Sequence, residues 1–513
     1  MRERRFPGSA RRVILWGGGR DMIDRLRGSI ERALRGQELN RMHIWLPALV
    51  GAVLLGGLSY AVLNMPWVVP IGLLVGIFGT LIFFIQPLPS LLAMMAVRIL
   101  LDLLWWIPGS IGGLNVLQLF SGAATVLGGA LFALEFRRNE RHPCINAFIL
   151  FSLVLAMSAV RNPSVRVSLE LAVRYLSPPM MVFLTAAFFT RRLDTRRYMT
   201  MLIVICAIPL AVSLYHLATG QMSRLHVQGY NRLLGGYKSL RNHGMMMMMM
   251  AALATFWVYQ ARSQRAQVIL LGYALASALC LYLSQIRTGL LALIGFVVTF
   301  LYISGRRREL VLITGLGIFI TVISPEIQER FKDLVLVFTL QNDPFADARK
   351  LGSGRLGLWG DSFQAYLRQP LGDVLLGLGL GGHWELTQEA YNPFITVQDG
   401  QVDTHSDYLG LLYQLGPIAL GSYLFMQVQI IRYGWRLARD RAADTFTRDL
   451  GALAAGLSVG VFVTNTISNG FVNRATIGWL FWSVSGIMFA AYARVQREEA
   501  EMREDSKAIP LRS

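Results

Sequence analysis

The sequence predicts an all-α fold: a polytopic transmembrane helical bundle of about 12–14 spans, with one long, partly helical loop on its outer side. Three observations carry that reading. Of 513 residues, 54% are hydrophobic and only 16% are charged, whereas a soluble protein of this size has about 25% charged residues. Apolar runs of roughly 18–25 residues recur along the chain, each long enough to cross about 30 Å of hydrocarbon. The period-2 alternation of a membrane β-barrel is absent.

Taken in order, the spans read as 44–63, 68–85, 91–107, 115–134, 144–160, 170–190, 199–218, 244–260, 267–284, 288–304, 309–324, 405–431, 450–466 and 475–493. With the N-terminus placed in the cytoplasm, 33 of the 49 Lys and Arg fall on inside segments and 14 on outside ones. Arg98 and Arg174 lie within spans. Basic residues flanking spans set orientation, so the net charge of +18 reads as a topology signal with both termini inside. The lipid bilayer is the implied partner, and nucleic acid is not.

Residues 1–42 form a basic cytoplasmic segment without a span or a cleavable signal peptide. Ile23, Leu26, Ile30 and Leu34 share a helical face among Arg25, Arg27, Arg32 and Arg35. That pattern fits an amphipathic helix on the inner leaflet and fits equally a solvated basic tail. Transmembrane helices then occupy 43–240 and 241–324. A long outer loop covers 325–404, C-terminal helices cover 405–494, and a cytoplasmic tail covers 495–513. Cys144, Cys206 and Cys280 read as buried thiols, since no CxxC occurs. Met245–Met250 reads as lipid or helix contact, not as a metal site. Arg98 with Asp102, and Glu170 with Arg174, are i,i+4 pairs within spans that supply their own counter-charges.

The loop 325–404 is too apolar and aromatic for disorder, and loops of this length are usually functional. Leu356, Trp359, Phe363, Tyr366 and Leu367 fall near helical spacing and stop before Pro370. They predict an amphipathic helix lying over the membrane surface. The following "LLGLGLGGH" lacks the strand–turn–helix setting of a dinucleotide-binding turn, so that reading is rejected.

Three ionisable residues stand out on the outer side. Arg287 sits in "SQIRTG", Arg355 in "GSGRLGLW", and His405 in "DTHSDYLGLLYQLG" at the lip of a span. The shorter outer loop 219–243 adds Arg241. Ionisable groups at such depths are functional hypotheses by default. The bland alternatives are a snorkelling Arg287, an Arg355 paired within its loop, and an interface histidine bonded to a carbonyl. The loop from 325 to 403 carries six Lys/Arg against eleven Asp/Glu, so an arginine retained there needs a reason. Guanidinium binds phosphate oxygens bidentately and stays charged in low dielectric. His405 is expected in the first turn of its helix, with Asp403 or Thr404 as N-cap. The positive helix end would keep the imidazole neutral and able to take a proton. No D-x-D occurs, which fits a donor activated by arginines; no metal and no other cofactor is expected.

These segments resemble the O-antigen ligase and O-antigen polymerase superfamily of bacterial envelope proteins. The resemblance runs from about Asn242 to Ile431, through "SQIRTG", "SGRLGLW", "PLGDVLLGLGLGG" and "THSDYLGLLYQLGPIAL". It implies a metal-independent, inverting glycosyltransferase of the inner membrane working at the periplasmic face. The donor would be an undecaprenyl-pyrophosphate-linked glycan, and the acceptor a glycan or lipid. His405 matches the family's histidine and would activate the acceptor hydroxyl. Arg287 and Arg355 would hold the pyrophosphate, with Arg241 and Asp407 completing the substrate-binding set. Flippase and chain-length regulator proteins are candidate protein partners. The first reading is polymerisation of surface-polysaccharide repeat units. The second is ligation to lipid A–core, and a reading from another class is a lipid-linked glycan flippase, which would place its charges near the midplane.

Overall fold

A computed structural model describes residues 86–103, 142–161, 165–189, 192–221, 232–325, 355–389, 404–472 and 474–508, with a few isolated positions elsewhere. Helix dominates the described residues; Ser110–Ile111 pairs antiparallel with Leu114–Asn115 in a two-stranded ladder. The spans expected at 44–63, 68–85 and 115–134, and the amphipathic segment around Ile23–Leu34, lie outside the described residues, or largely so.

The remaining spans each coincide with a helix. They are α1 (Pro87–Leu103), α2 (Ile145–Arg161), α3 (Val165–Phe188), α4 (Arg192–Ala218), α5 (Leu240–Gln260), α6 (Gln264–Ser284), α7 (Arg287–Ile303) and α8 (Arg307–Ile323). After the shorter helices α9 (Arg355–Leu367), α10 (Leu371–Leu376) and α11 (His383–Glu389) come α12 (Asp407–Arg439), α13 (Thr445–Ile467) and α14 (Ala475–Ala508). Six of these are long and apolar enough to cross a membrane by length and composition alone. Helices of 17 residues such as α2 and α7 reach about 25 Å, the lower end of what spans a bilayer.

Chain chemistry explains the boundaries. Ser263 caps α6, Ser406 caps α12 and Asp444 caps α13, each accepting a hydrogen bond from a first-turn backbone N–H. The bundle packs α12 against α13 and α2, α7 against α13 and α5, and α14 against α3. Small residues permit the closest approaches: a Cβ on Gly434 of α12 would lie 2.6 Å from the Gly451 carbonyl of α13. The outward faces of α6 and α8 are apolar, with Val268, Ile269, Val311, Leu312 and Phe319 exposed, as lipid-facing helices require. Met245–Met250 are fully buried. Six consecutive residues cover every side of a helix, so α5 is central and the run makes helix contacts. The three cysteines are free and buried, and both i,i+4 ion pairs form, Arg98 with Asp102 at 3.4 Å and Arg174 with Glu170.

Two features show how the ends of the bundle are held. At one end, Arg306 makes two bonds to Asp449 of 2.9 and 2.7 Å, and Gln260 donates to the same carboxylate at 2.6 Å. The Arg306 guanidinium lies 3.9 Å from the Tyr259 ring centroid. These contacts join the foot of α5, the α7–α8 turn and the start of α13.

Towards the other end, α12 breaks at Gly416, where φ is 76° and ψ 177°, just before Pro417. Proline brings no N–H, so the break frees the carbonyls of Tyr413 and Gln414. The glycine-rich turn fills it. Leu378 N donates to Tyr413 O at 2.8 Å and Gly379 N to Gln414 O at 3.2 Å. Gly381 N reaches the Gln414 side chain at 3.0 Å, and Ser158 of α2 also donates to Gln414 O at 2.9 Å. Arg161 bonds the Gly377 carbonyl and pairs with Asp373. Only residues without a Cβ fit: a Cβ on Gly377 would sit 2.3 Å from the Gln414 carbonyl, and one on Gly416 2.3 Å from that of Leu375. The break lies nine residues into α12, about 14 Å along its axis. The 371–382 segment therefore packs into the bundle. Non-helical backbone is tolerated at such depth because protein satisfies its polar groups.

The amphipathic helix is present as α9, but its buried face is Leu358, Ser362 and Tyr366. Phe363 and Leu367 are exposed. A helix lying between protein and lipid has two apolar sides, and periodicity alone does not say which one meets the protein.

Candidate active site

At one end of the bundle, the ends of α5, α7, α9, α12 and α13 meet around the short linker 467–474 between α13 and α14. The α12 start is stitched to this linker. Ser406, its N-cap, also donates to Asn465 O at 3.1 Å, and Asp407 N donates to Ser468 O at 3.1 Å. The Asp407 carboxylate accepts from the backbone N–H groups of Phe471 at 2.8 Å and Val472 at 3.2 Å. One Asp407 oxygen thus holds the linker.

His405 precedes this cap. Its expected place in the first helical turn, capped by Asp403 or Thr404, is corrected: Ser406 is the N-cap and His405 has φ 52°. The left-handed backbone at 405 means the helix can begin only after it. Thr404 serves the turn differently, its hydroxyl donating to Ser406 O at 2.8 Å and its carbonyl accepting Trp359 Nε1 of α9 at 2.7 Å. Among the described residues, the non-glycine positions with positive φ are His405 and Gln285. Histidine enters this region more readily than most residues, and such conformations gather at functional sites. Gln285 ends α6 two residues before Arg287.

The arginines converge on the same rim. Arg241, in the first turn of α5, spans two partners. Its Nη2 donates to His405 Nδ1 at 2.7 Å, and its Nη1 bonds Asn469 Oδ1. Arg355, the first residue of α9, donates to the Ile467 carbonyl at 2.8 Å. The Ile467 and Asn469 anchors are two residues apart, within about 7 Å of chain. Arg287 opens α7. Burial first, and then the neighbouring Arg287 guanidinium, lower Arg355 from its ordinary value. Arginine remains protonated under such pressure. Two like charges pushing on one another beside a third arginine make a site suited to a multiply charged anion.

Arg241, Arg287, Arg355 and His405 therefore lie on one rim. What sequence reasoning missed is the 467–474 linker. Its signal was present: "NTISNGFVNR" is a polar, amide-rich break between apolar spans. Among the described residues, no group of three or more His, Cys, Asp or Glu is arranged to hold a metal ion.

No curated protein matches this chain. Residues 271–424 match the family model described as O-antigen ligase. The matched segment runs from α6 into α12 and contains Arg287, Arg355, His405 and Asp407; Arg241 and the 467–474 linker lie outside it. Residues 271–424 are thus similar to the O-antigen ligase family, within a chain of helical, multi-pass membrane architecture.

Proposed function

We propose that the protein is a polymerase of lipid-linked polysaccharide repeat units, working at the periplasmic face of the bacterial inner membrane. The observation that carries this reading is the meeting of Arg241, Arg287 and Arg355 with His405 on one rim. In this reading the arginines hold the pyrophosphate of an undecaprenyl-linked donor. His405 takes the proton of the acceptor hydroxyl. That oxygen attacks the anomeric carbon from the face opposite the leaving group, inverting it, and polyprenyl pyrophosphate departs with the bonding electrons. Charge grows on the pyrophosphate as the bond breaks, and fixed guanidinium donors stabilise such growing charge. No step needs a metal ion.

The description of the matched family favours a second reading, ligation of a finished glycan to lipid A–core. Both readings use the same donor and groups. Purified protein given only lipid-linked repeat units separates them: a ladder of lengthening products supports polymerisation, and a product formed only when acceptor lipid is added supports ligation.

Two further outcomes are expected. Arg287→Lys and Arg355→Lys should each lower donor affinity and turnover about as much as alanine does, because a point charge does not reproduce the planar fork. Recovery of wild-type kcat/KM by lysine would remove the bidentate clamp. For orientation, Gln364→Cys places a thiol on the exposed side of α9, against a background of buried native cysteines. An impermeant thiol reagent should label it in cells whose outer membrane alone is permeabilised. Labelling seen only after the inner membrane is broken would invert the topology.

A further inference from the structure

The bond between Arg241 and His405 fixes more than position. A guanidinium has no acceptor, so Arg241 Nη2 must be the donor and His405 Nδ1 must carry a lone pair. A neutral imidazole holds one proton, which then sits on Nε2. In this geometry the one basic nitrogen of His405 is already covered by a cation 2.7 Å away. A histidine so held cannot receive the acceptor proton. We infer that Arg241 is a latch on His405: donor pyrophosphate draws the guanidinium off Nδ1 and thereby arms the base. This rests on the proposed roles of donor and base.

The surroundings favour such a movement. Arg241 stands at the first turn of α5 and is only partly buried, so its side chain reaches the rim on a flexible stem. One turn further along, a Cβ on Gly244 would lie 3.0 Å from the Ile286 side chain, which puts the start of α5 beside Arg287. A phosphate held by Arg287 and Arg355 is therefore within reach of Arg241, and it competes for the guanidinium with a neutral imidazole. A charged acceptor oxygen is the stronger partner. The imidazole stays on the rim when the arginine leaves, because the chain on either side of it is pinned by Trp359, Thr404, Ser406 and Asp407. The sequence of events balances. Arg241 moves to the pyrophosphate, Nδ1 receives the acceptor proton, and imidazolium forms as the glycosyl–oxygen bond to pyrophosphate breaks. A base uncovered only beside a bound donor also limits wasteful transfer to water.

The test uses wild-type protein with ¹⁵N-histidine in lipid nanodiscs and undecaprenyl pyrophosphate as the probe. The chain has seven histidines, and loss of one signal pair in His405→Gln assigns His405. Arg241→Lys gives a second assignment, because it alters the bond to Nδ1 without touching the ring. Without probe, Nδ1 should appear bare but hydrogen-bonded, with the proton on Nε2. Saturating probe should move the Nδ1 resonance towards that of an unbonded nitrogen, while ³¹P signals of the lipid report its binding. Binding with an unmoved Nδ1 resonance would overturn the latch and leave the donor site standing. A proton found on Nδ1 without probe would also overturn it. Absence of ³¹P binding would instead remove the donor reading and the latch together.

Discussion

Replacing His405 by alanine is expected to cut turnover per folded molecule about 10²–10⁴-fold, with donor binding as tight as wild type or tighter. The magnitude is that of a positioned general base. Retention of binding follows because the phosphate-holding groups are arginines on other elements. Tightening follows because Arg241 loses its partner at Nδ1 and is freer to meet a phosphate. Three contacts around position 405 do not involve the imidazole. The α12 cap is Ser406, the linker is held by Asp407, and α9 is joined through the Thr404 carbonyl. His405→Gly is the companion variant, since glycine accepts the left-handed backbone at 405 without strain. A histidine that serves only the helix end predicts the reverse pattern: a lowered Tm and normal turnover. Polymer yield, donor binding and folded protein should be measured on the same membranes. Wild-type turnover per folded His405→Ala molecule would sink the assignment, and the search for a base would pass to Asp403, Asp407 or His383.

A loss of about 3–5 kcal/mol in stability is expected for Gly416→Ala or Gly377→Val. At Gly416 the backbone is left-handed, and a new Cβ would lie 2.3 Å from the Leu375 carbonyl. At Gly377, with φ 77°, it would lie 2.3 Å from the Gln414 carbonyl. In both places the obstacle is backbone, so relief means pulling the glycine-rich turn out of the α12 break. That strips the Tyr413 carbonyl of its Leu378 donor, at about 1–3 kcal/mol for an unsatisfied buried group, and leaves the Gln414 carbonyl with Ser158 alone. Gly360→Ala and Gly372→Ala are the controls, because a Cβ at either meets nothing within 4 Å. The expected result is a lower Tm in detergent and earlier proteolysis of the 371–382 segment for the first pair, with little change for the controls. A Gly416→Ala protein that melts with wild type would show that the turn is not packed into the helix break. Activity should fall with docking, since α9, which carries Arg355, is joined to α12 through Ser362 and Tyr413 at 3.0 Å.

The sequence by itself determined the class of molecule and singled out the residues of a candidate site. Hydropathy is a local property, so spans such as 267–284 and 450–466 could be read residue by residue, and each became a helix. Charged residues beside apolar runs are costly, so Arg287, Arg355 and His405 were conspicuous without any knowledge of their neighbours. The motifs around them also carried the family resemblance, and the match over 271–424 agrees with it.

Only the tertiary structure decided how those residues work together. Arg241 and His405 are 164 positions apart, and nothing in either local pattern announces their bond or the tautomer it enforces. The family resemblance placed Asp407 in the substrate-binding set. The structure adds that its carboxylate accepts from backbone N–H groups 64 and 65 positions away. The glycine run excluded a nucleotide turn by its setting, but its duty became visible only when the break at Gly416 and Pro417 presented two carbonyls needing donors. The physical reason is the same in each case. Periodicity and composition report how one segment meets solvent or lipid, whereas hydrogen bonds between distant segments depend on where the packed helices bring them.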